Sequence, residues 1–193
     1  MVIIDQYVLI ISLKNLLERV INMKFSDIPL LTTDGEWECY YDLKSAVRQI
    51  EEWENEEGLQ LNPDFQRGHV WSEVQQIKYI EYVLRGGKTA KVIYFNNPGW
   101  RSGNIDRNNF VCVDGLQRIT AIKKFIHNEI KVFGYYYKEF EGNIRSMEGI
   151  KFNVNTLKTR KEVLQWYIEY NSYGTIHTEE EINRVKELLA KEE

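Results

Sequence analysis

The sequence predicts an α+β domain in which helices surround a small mixed sheet. Short apolar segments that suit strands alternate with longer segments of helical periodicity. Capping signals precede several of these helical segments. Hydrophobic residues make up 43% of the 193 residues and aromatic residues 13%, which is enough for a sizeable core.

The first predicted helix begins after Asp42 and runs to about Asn55, with Gly58 as its stop. Its apolar positions fall on neighbouring turns and include Leu43, Val47 and Ile50. The segment LQL at 59–61 is expected to be extended, and NPD at 62–64 is typical of a turn.

Ser72 and Gln75 form a capping box for the second helix, which is expected to end at Gly86-Gly87. The apolar residues at helical spacing are Val74, Ile77, Ile80 and Leu84.

Two strands and a third helix are predicted next. KVIYFN at 91–96 and FVCV at 110–113 suit an antiparallel pair of strands, joined by the polar loop 97–109. A helix then covers 117–127, and its inward positions are Ile119, Ile122 and Ile126.

Two strands and two helices are predicted in the last part of the chain. KVFGYYY at 131–137 suits a strand, and IKFNVN at 150–155 alternates as a half-buried strand does. A helix is expected at 160–170. Thr178 and Glu181 cap the final helix, whose apolar side carries Ile182, Val185, Leu188 and Leu189.

The N-terminal segment is interpreted as a helical extension, residues 1–24, preceding a single domain at 25–193. The extension either packs on the domain or a partner, or Met23 is the true start of the protein. It lacks the positive region and cleavage site of a signal peptide, and its apolar run is too short to cross a bilayer. We therefore expect no membrane association.

Charge and cysteine content restrict the function and the compartment. The net charge of -4 argues against a stand-alone, non-specific DNA binder, although a local basic patch stays compatible with it. Cys39 and Cys112 form no CxxC pair and no recognisable zinc site. A reducing cytoplasm is the simplest expectation, and Cys112 is expected to be buried and inert in its apolar strand.

Asp114 to Arg118, with the sequence DGLQR, is the first candidate site. Gly115 permits a tight turn, and the helix that follows offers free N–H groups to a phosphate. Arg118 can bind phosphate oxygens in pairs. Asp114 can hold the Arg118 side chain in place, coordinate a metal ion or accept a hydrogen bond from a ribose hydroxyl. The alternative is a simple helix start with a surface arginine.

Two further stretches carry candidate residues. Gln66 and Arg67 form a second Gln-Arg pair upstream of a helix, and the two pairs can converge on one polyanion. Alternatively, Arg67 is merely solvated. Asn171 marks, with Gly174, the stop of one helix, and Thr175 and His177 lie just before the cap of the last helix. An ordinary turn is the more economical interpretation of this stretch.

Together these motifs resemble a known family. PDFQRGHVW, then a helix, then VDGLQRITAI and finally NSYGT are similar to the N-terminal domain of GmrSD-type modification-dependent restriction enzymes. That domain belongs to the ParB/sulfiredoxin-like superfamily and is named for a DGQQR motif. Leu116 stands here in place of the first glutamine of the motif.

The resemblance implies nucleoside triphosphate binding, and possible hydrolysis with Mg2+, in bacterial or phage restriction, defence or counter-defence. It implies catalytic roles for Asp114, Gln117 and Arg118. It implies phosphate binding by Gln66, Arg67, Gly115, Arg118, Asn171, Thr175 and His177. The metal ligands stay unassigned. DNA or a host defence protein is a candidate partner, and two alternatives stay open: a non-enzymatic interaction module or inhibitor, and a ParB-like DNA nuclease.

Overall fold

The computed structural model describes residues 37–142, 144, 149–174 and 179–192, together with Phe25, Ile28 and Leu31. The chain divides into two units, Met1–Leu31 and Thr32–Glu193, and the helices and strands given below belong to the second. The extension expected at 1–24 and the capping residue Thr178 lie outside the described residues. The domain boundary at 24/25 stays a prediction.

The described strands form one mixed sheet. The strands are β1 (Trp37–Tyr41), β2 (Val92–Asn96), β3 (Val111–Asp114) and β4 (Ile150–Asn155). In the order β1-β4-β2-β3, β2 and β4 are parallel and the other neighbouring pairs are antiparallel. The sequence analysis did not predict β1, whose five residues alternate between half-buried and exposed and whose position in the sheet depends on pairing with β4.

The described helices cover both faces of this sheet. They are α1 (Leu43–Glu56), α2 (Glu73–Leu84), α3 (Leu116–Ile126), α4 (Arg160–Gly174) and α5 (Glu179–Ala190). Asp42 caps α1 by accepting from the Ser45 N–H at 3.0 Å, and both halves of the Ser72–Gln75 capping box are formed at the start of α2. The predicted α+β class with a small mixed sheet is confirmed.

Two apolar cores lie on opposite sides of the sheet. Ile93 and Phe95 of β2 point into the first core, with residues of α1, α2 and α3. Tyr94 lies between them in sequence and packs instead against the second core, with residues of α4 and α5. This alternation follows from the pleat of a strand, and it places the turn after β3 between two sets of helices.

The residues of α2 that are buried differ from those that its apolar periodicity predicts. Its buried residues are Gln76, Tyr79, Ile80 and Val83, whereas Val74 is 59% exposed. A glutamine therefore takes an interior position near the start of this helix.

The prediction of a strand at 131–137 is wrong. Val132 and Tyr135 exchange both backbone hydrogen bonds across a tight turn, and a 3-10 helix, Tyr137–Glu139, follows. Phe133 and Gly134 at the tip of the turn have φ angles of 52° and 85°. Left-handed backbone at two successive residues reverses the chain, so an extended segment cannot form.

Within the described part of the chain, none of the helices combines the length and the apolar character that a membrane crossing requires.

Candidate anion-binding site

The turn between β3 and α3 depends on Gly115. Its φ of 128° suits glycine, and a Cβ there would lie 2.7 Å from Cγ2 of Ile93 on the neighbouring strand. Gly115 is also the N-cap of α3 and has no side chain to cap it. The first N–H groups of α3 thus begin directly at the end of a buried strand.

Arg118 lies one helical turn beyond Asp114 and forms an ion pair with it. The side chains of Arg118 and Asp114 are only 17% and 27% exposed. Burial alone would lower the pKa of the Arg118 guanidinium, but the adjacent Asp114 carboxylate raises that pKa above its ordinary value. Arg118 Nε is buried and has no hydrogen-bond partner among the described residues.

Residues 66–71 form a loop that carries Arg67 and is fastened at several points. The Gln66 side-chain amide donates to the carbonyl oxygens of Cys112 and Val113 in β3, the second at 3.2 Å. Gln117 Oε1 accepts from Trp71 N at 3.0 Å and from Val70 N at 2.9 Å, while Gln117 Nε2 donates to Gly68 O at 2.8 Å. The glutamine of each Gln-Arg pair therefore holds the loop against β3 and α3.

The two Gln-Arg stretches border one cavity of about 110 Å³. Six of the residues singled out by sequence line it: Gln66, Arg67, Asp114, Gly115, Gln117 and Arg118. Two segments separated by almost 50 positions along the chain are thus adjacent in space. The catalytic and phosphate-binding roles of these six residues stay predictions.

The third sequence stretch is placed differently. Asn171 is buried in α4, does not belong to the described lining of the cavity, and donates to Tyr167 O at 2.8 Å. Thr175 and His177 lie outside the described residues.

Sequence reasoning did not select three residues that shape the cavity. Tyr167 and Trp71 line it. Gln76 is 2% exposed and donates to Trp71 O at 3.0 Å, with its Nε2 also 2.8 Å from His69 Nε2. A polar residue on an otherwise apolar helical face is the signal that could have indicated Gln76.

Cys112 is fully buried behind the site, as expected. Burial raises the pKa of its thiol well above the ordinary range, which keeps it protonated at neutral pH. Within the described residues, no group of three or more His, Cys, Asp or Glu side chains is arranged to hold a metal ion.

Residues 44–193 match the family model of the GmrSD restriction endonuclease, N-terminal domain. The chain belongs to this family. Searches among curated proteins and among solved structures returned no match. The resemblance drawn from the two Gln-Arg motifs is thereby confirmed, and membership connects this GmrSD N-terminal domain with restriction and defence.

Proposed function

We propose that this GmrSD N-terminal domain binds a nucleoside triphosphate, with a phosphate group held between the 66–71 loop and the start of α3. The supporting observation is that Arg67 and Arg118 line the same cavity, beside a helix N-terminus that no side chain caps. Guanidinium groups and free helical N–H groups are the donors that bind phosphate in proteins.

The size of the cavity favours a phosphate group over a whole nucleotide. Its volume of about 110 Å³ is well below the roughly 300–1,000 Å³ of pockets that enclose complete small molecules. The base and ribose would then lie at the rim, and we expect little discrimination among bases.

The contacts around the cavity favour binding over rapid hydrolysis. The Asp114 carboxylate is engaged by Arg118, and the Gln117 amide is bonded at both its oxygen and its nitrogen. Leu116, where the family motif has glutamine, adds an apolar side chain to the lining. Mg2+ accompanies a triphosphate and is coordinated largely by phosphate oxygens and water.

Isothermal titration calorimetry with ATP, GTP, CTP and UTP in the presence of Mg2+ tests the proposal. Arg67→Gln removes one guanidinium from an exposed position and should leave the fold intact. We expect it to weaken binding about tenfold, as the loss of one charge-assisted contact does.

Arg48→Gln is the matched control, because Arg48 is exposed on α1 and lines neither this cavity nor any other described one. Equal affinity in the wild type and Arg67→Gln, or no heat of binding at millimolar nucleotide, would contradict the proposal. Inorganic phosphate release, measured on the same samples, separates binding from hydrolysis.

A further inference from the structure

A second and larger cavity lies between the C-terminal ends of α2 and α3 and the segment that follows α3. Its volume is about 580 Å³, within the roughly 300–1,000 Å³ range of small-molecule sites. It shares no lining residue with the anion-binding site. We call it the aromatic cavity, and its principal lining residues are Arg85, Phe125, Phe133, Tyr137, Lys138 and Phe140.

Aromatic rings in edge-to-face contact form one wall of the aromatic cavity. Phe125 is buried in the core and meets Tyr137 edge-on at a centroid distance of 5.5 Å. Phe140 meets Phe125 at 5.9 Å and remains 39% exposed. The buried ring thus fixes two partly exposed rings, whose free surfaces can contact a further ring.

Two cations of the lining are held by aromatic rings and not by carboxylates. The Arg85 guanidinium lies 5.2 Å from the Phe133 ring centroid, and Lys138 Nζ lies 6.0 Å from that of Tyr136. Within the described residues, neither cation is within salt-bridge distance of a carboxylate.

Two further carboxylates, those of Glu81 and Glu139, lie outside the described lining and accept backbone hydrogen bonds. Glu81 accepts from Phe133 N at 3.4 Å, and Glu139 accepts from Tyr136 N at 2.7 Å. Glu141 contributes one negative charge to the lining, against the two positive charges of Arg85 and Lys138. The charge of the described lining is therefore positive and complements an anion.

Phe133 is presented to the cavity by an unfavourable backbone conformation. Its φ of 52° is left-handed, a conformation that a bulky side chain rarely adopts. Its ring is 39% exposed, so burial offsets only part of this strain. Strain of this kind is concentrated at ligand-binding positions.

We propose that the aromatic cavity binds a small aromatic anion. The flat body of the ligand contacts Phe133, Tyr137 and Phe140, and its carboxylate, sulfonate or phosphate pairs with Arg85 and Lys138. Stacking on ring faces selects an aromatic body, and the two cations select a negative charge.

Fluorescence titration with 8-anilinonaphthalene-1-sulfonate tests both halves of this proposal. N-phenyl-1-naphthylamine is the same ring system without the sulfonate and serves as the matched neutral probe. We expect saturable one-site binding of the sulfonate, and about tenfold weaker binding of the neutral probe.

Two variants locate the bound probe. Phe133→Asn removes the ring and suits the left-handed backbone, so the variant should fold; we expect about tenfold weaker sulfonate binding. Arg85→Gln should weaken the sulfonate about fivefold and leave the neutral probe unchanged. Arg48→Gln, in exposed α1 sequence, should bind both probes as the wild type does.

Competition identifies the ligand class. Displacement of the sulfonate by 2-naphthoate alone assigns the cavity to aromatic acids, and displacement by AMP as well extends the class to nucleotides. Failure of both competitors would overturn the proposal. So would equal affinity for the charged and neutral probes, or unchanged sulfonate binding in Phe133→Asn.

Discussion

The candidate anion-binding site and the aromatic cavity both depend on a residue with positive φ, but in opposite ways. At the candidate anion-binding site, Gly115 suits its φ of 128° and allows close contact with Ile93. At the aromatic cavity, Phe133 has a φ of 52°, which a bulky side chain disfavours. Backbone conformation and residue type agree in the first region and conflict in the second.

The two regions also differ in what holds their walls. Hydrogen bonds from Gln66 and Gln117 fasten the 66–71 loop to β3 and α3. The aromatic cavity is held by ring contacts and cation–ring contacts. The difference indicates that changes to the residues that fasten the first site affect stability and binding together, whereas changes at the second can separate them. The following substitutions test this contrast.

The largest effect is expected from Gly115→Ala. The new Cβ would meet Ile93 at 2.7 Å while the backbone keeps a φ that alanine disfavours. We expect a loss of about 3 kcal/mol in the free energy of unfolding, from strain and overpacking together. Urea denaturation measures it. Gly134→Ala is the control in the other region, because nothing lies within 4 Å of the added Cβ there, and it should cost only about 1 kcal/mol.

Asp114→Asn should have the next largest effect, because it leaves the mostly buried Arg118 without its counter-charge. We expect a loss of about 2 kcal/mol, below the cost of breaking a fully buried pair. Asp64→Asn breaks the more exposed ion pair with Arg160 and should cost less than about 1 kcal/mol. Equal losses in the two variants would show that burial of the Asp114–Arg118 pair contributes nothing to stability.

Gln117→Leu should release the loop that carries Arg67 at a cost of about 1 kcal/mol. Its amide makes three hydrogen bonds to the backbone of that loop. We therefore expect faster hydrogen exchange at the amides of Val70 and Trp71, together with weaker nucleotide binding. Gln49→Leu, which loses only two long hydrogen bonds, to Tyr41 at 3.5 Å and to Glu52 at 3.4 Å, is the control. Unchanged exchange at Val70 would argue against the fastening role.

Phe133→Asn should have the smallest effect and the opposite sign. With Gly134 it forms the Asn-Gly pair that this turn prefers, so we expect a gain of about 0.5 kcal/mol. Thermal unfolding measures the change, on the same samples used for probe binding. If this variant is less stable than the wild type, the Phe133 ring stabilises the fold, and the strain of its left-handed backbone does not make Phe133 destabilising overall.

Local patterns in the sequence predicted much of the fold and six of the residues that line the candidate site. The Asp42 and Ser72 caps and the antiparallel strands β2 and β3 are where the sequence placed them. Such signals are local, because a cap or an alternation involves residues a few positions apart. β1 and the 131–137 segment were missed, because the first depends on pairing with β4 and the second on two left-handed residues, one of them a phenylalanine.

By itself, the sequence determined the residue types of the candidate anion-binding site, the glycine at its turn and the family of the domain. Tertiary structure alone decided that Arg67 and Arg118 share one cavity, that Gln117 holds a loop, and that an aromatic cavity forms beyond α3. The physical reason is that these relations arise between segments far apart in the chain. Their contacts depend on how helices pack against the sheet, and no short-range pattern encodes that packing.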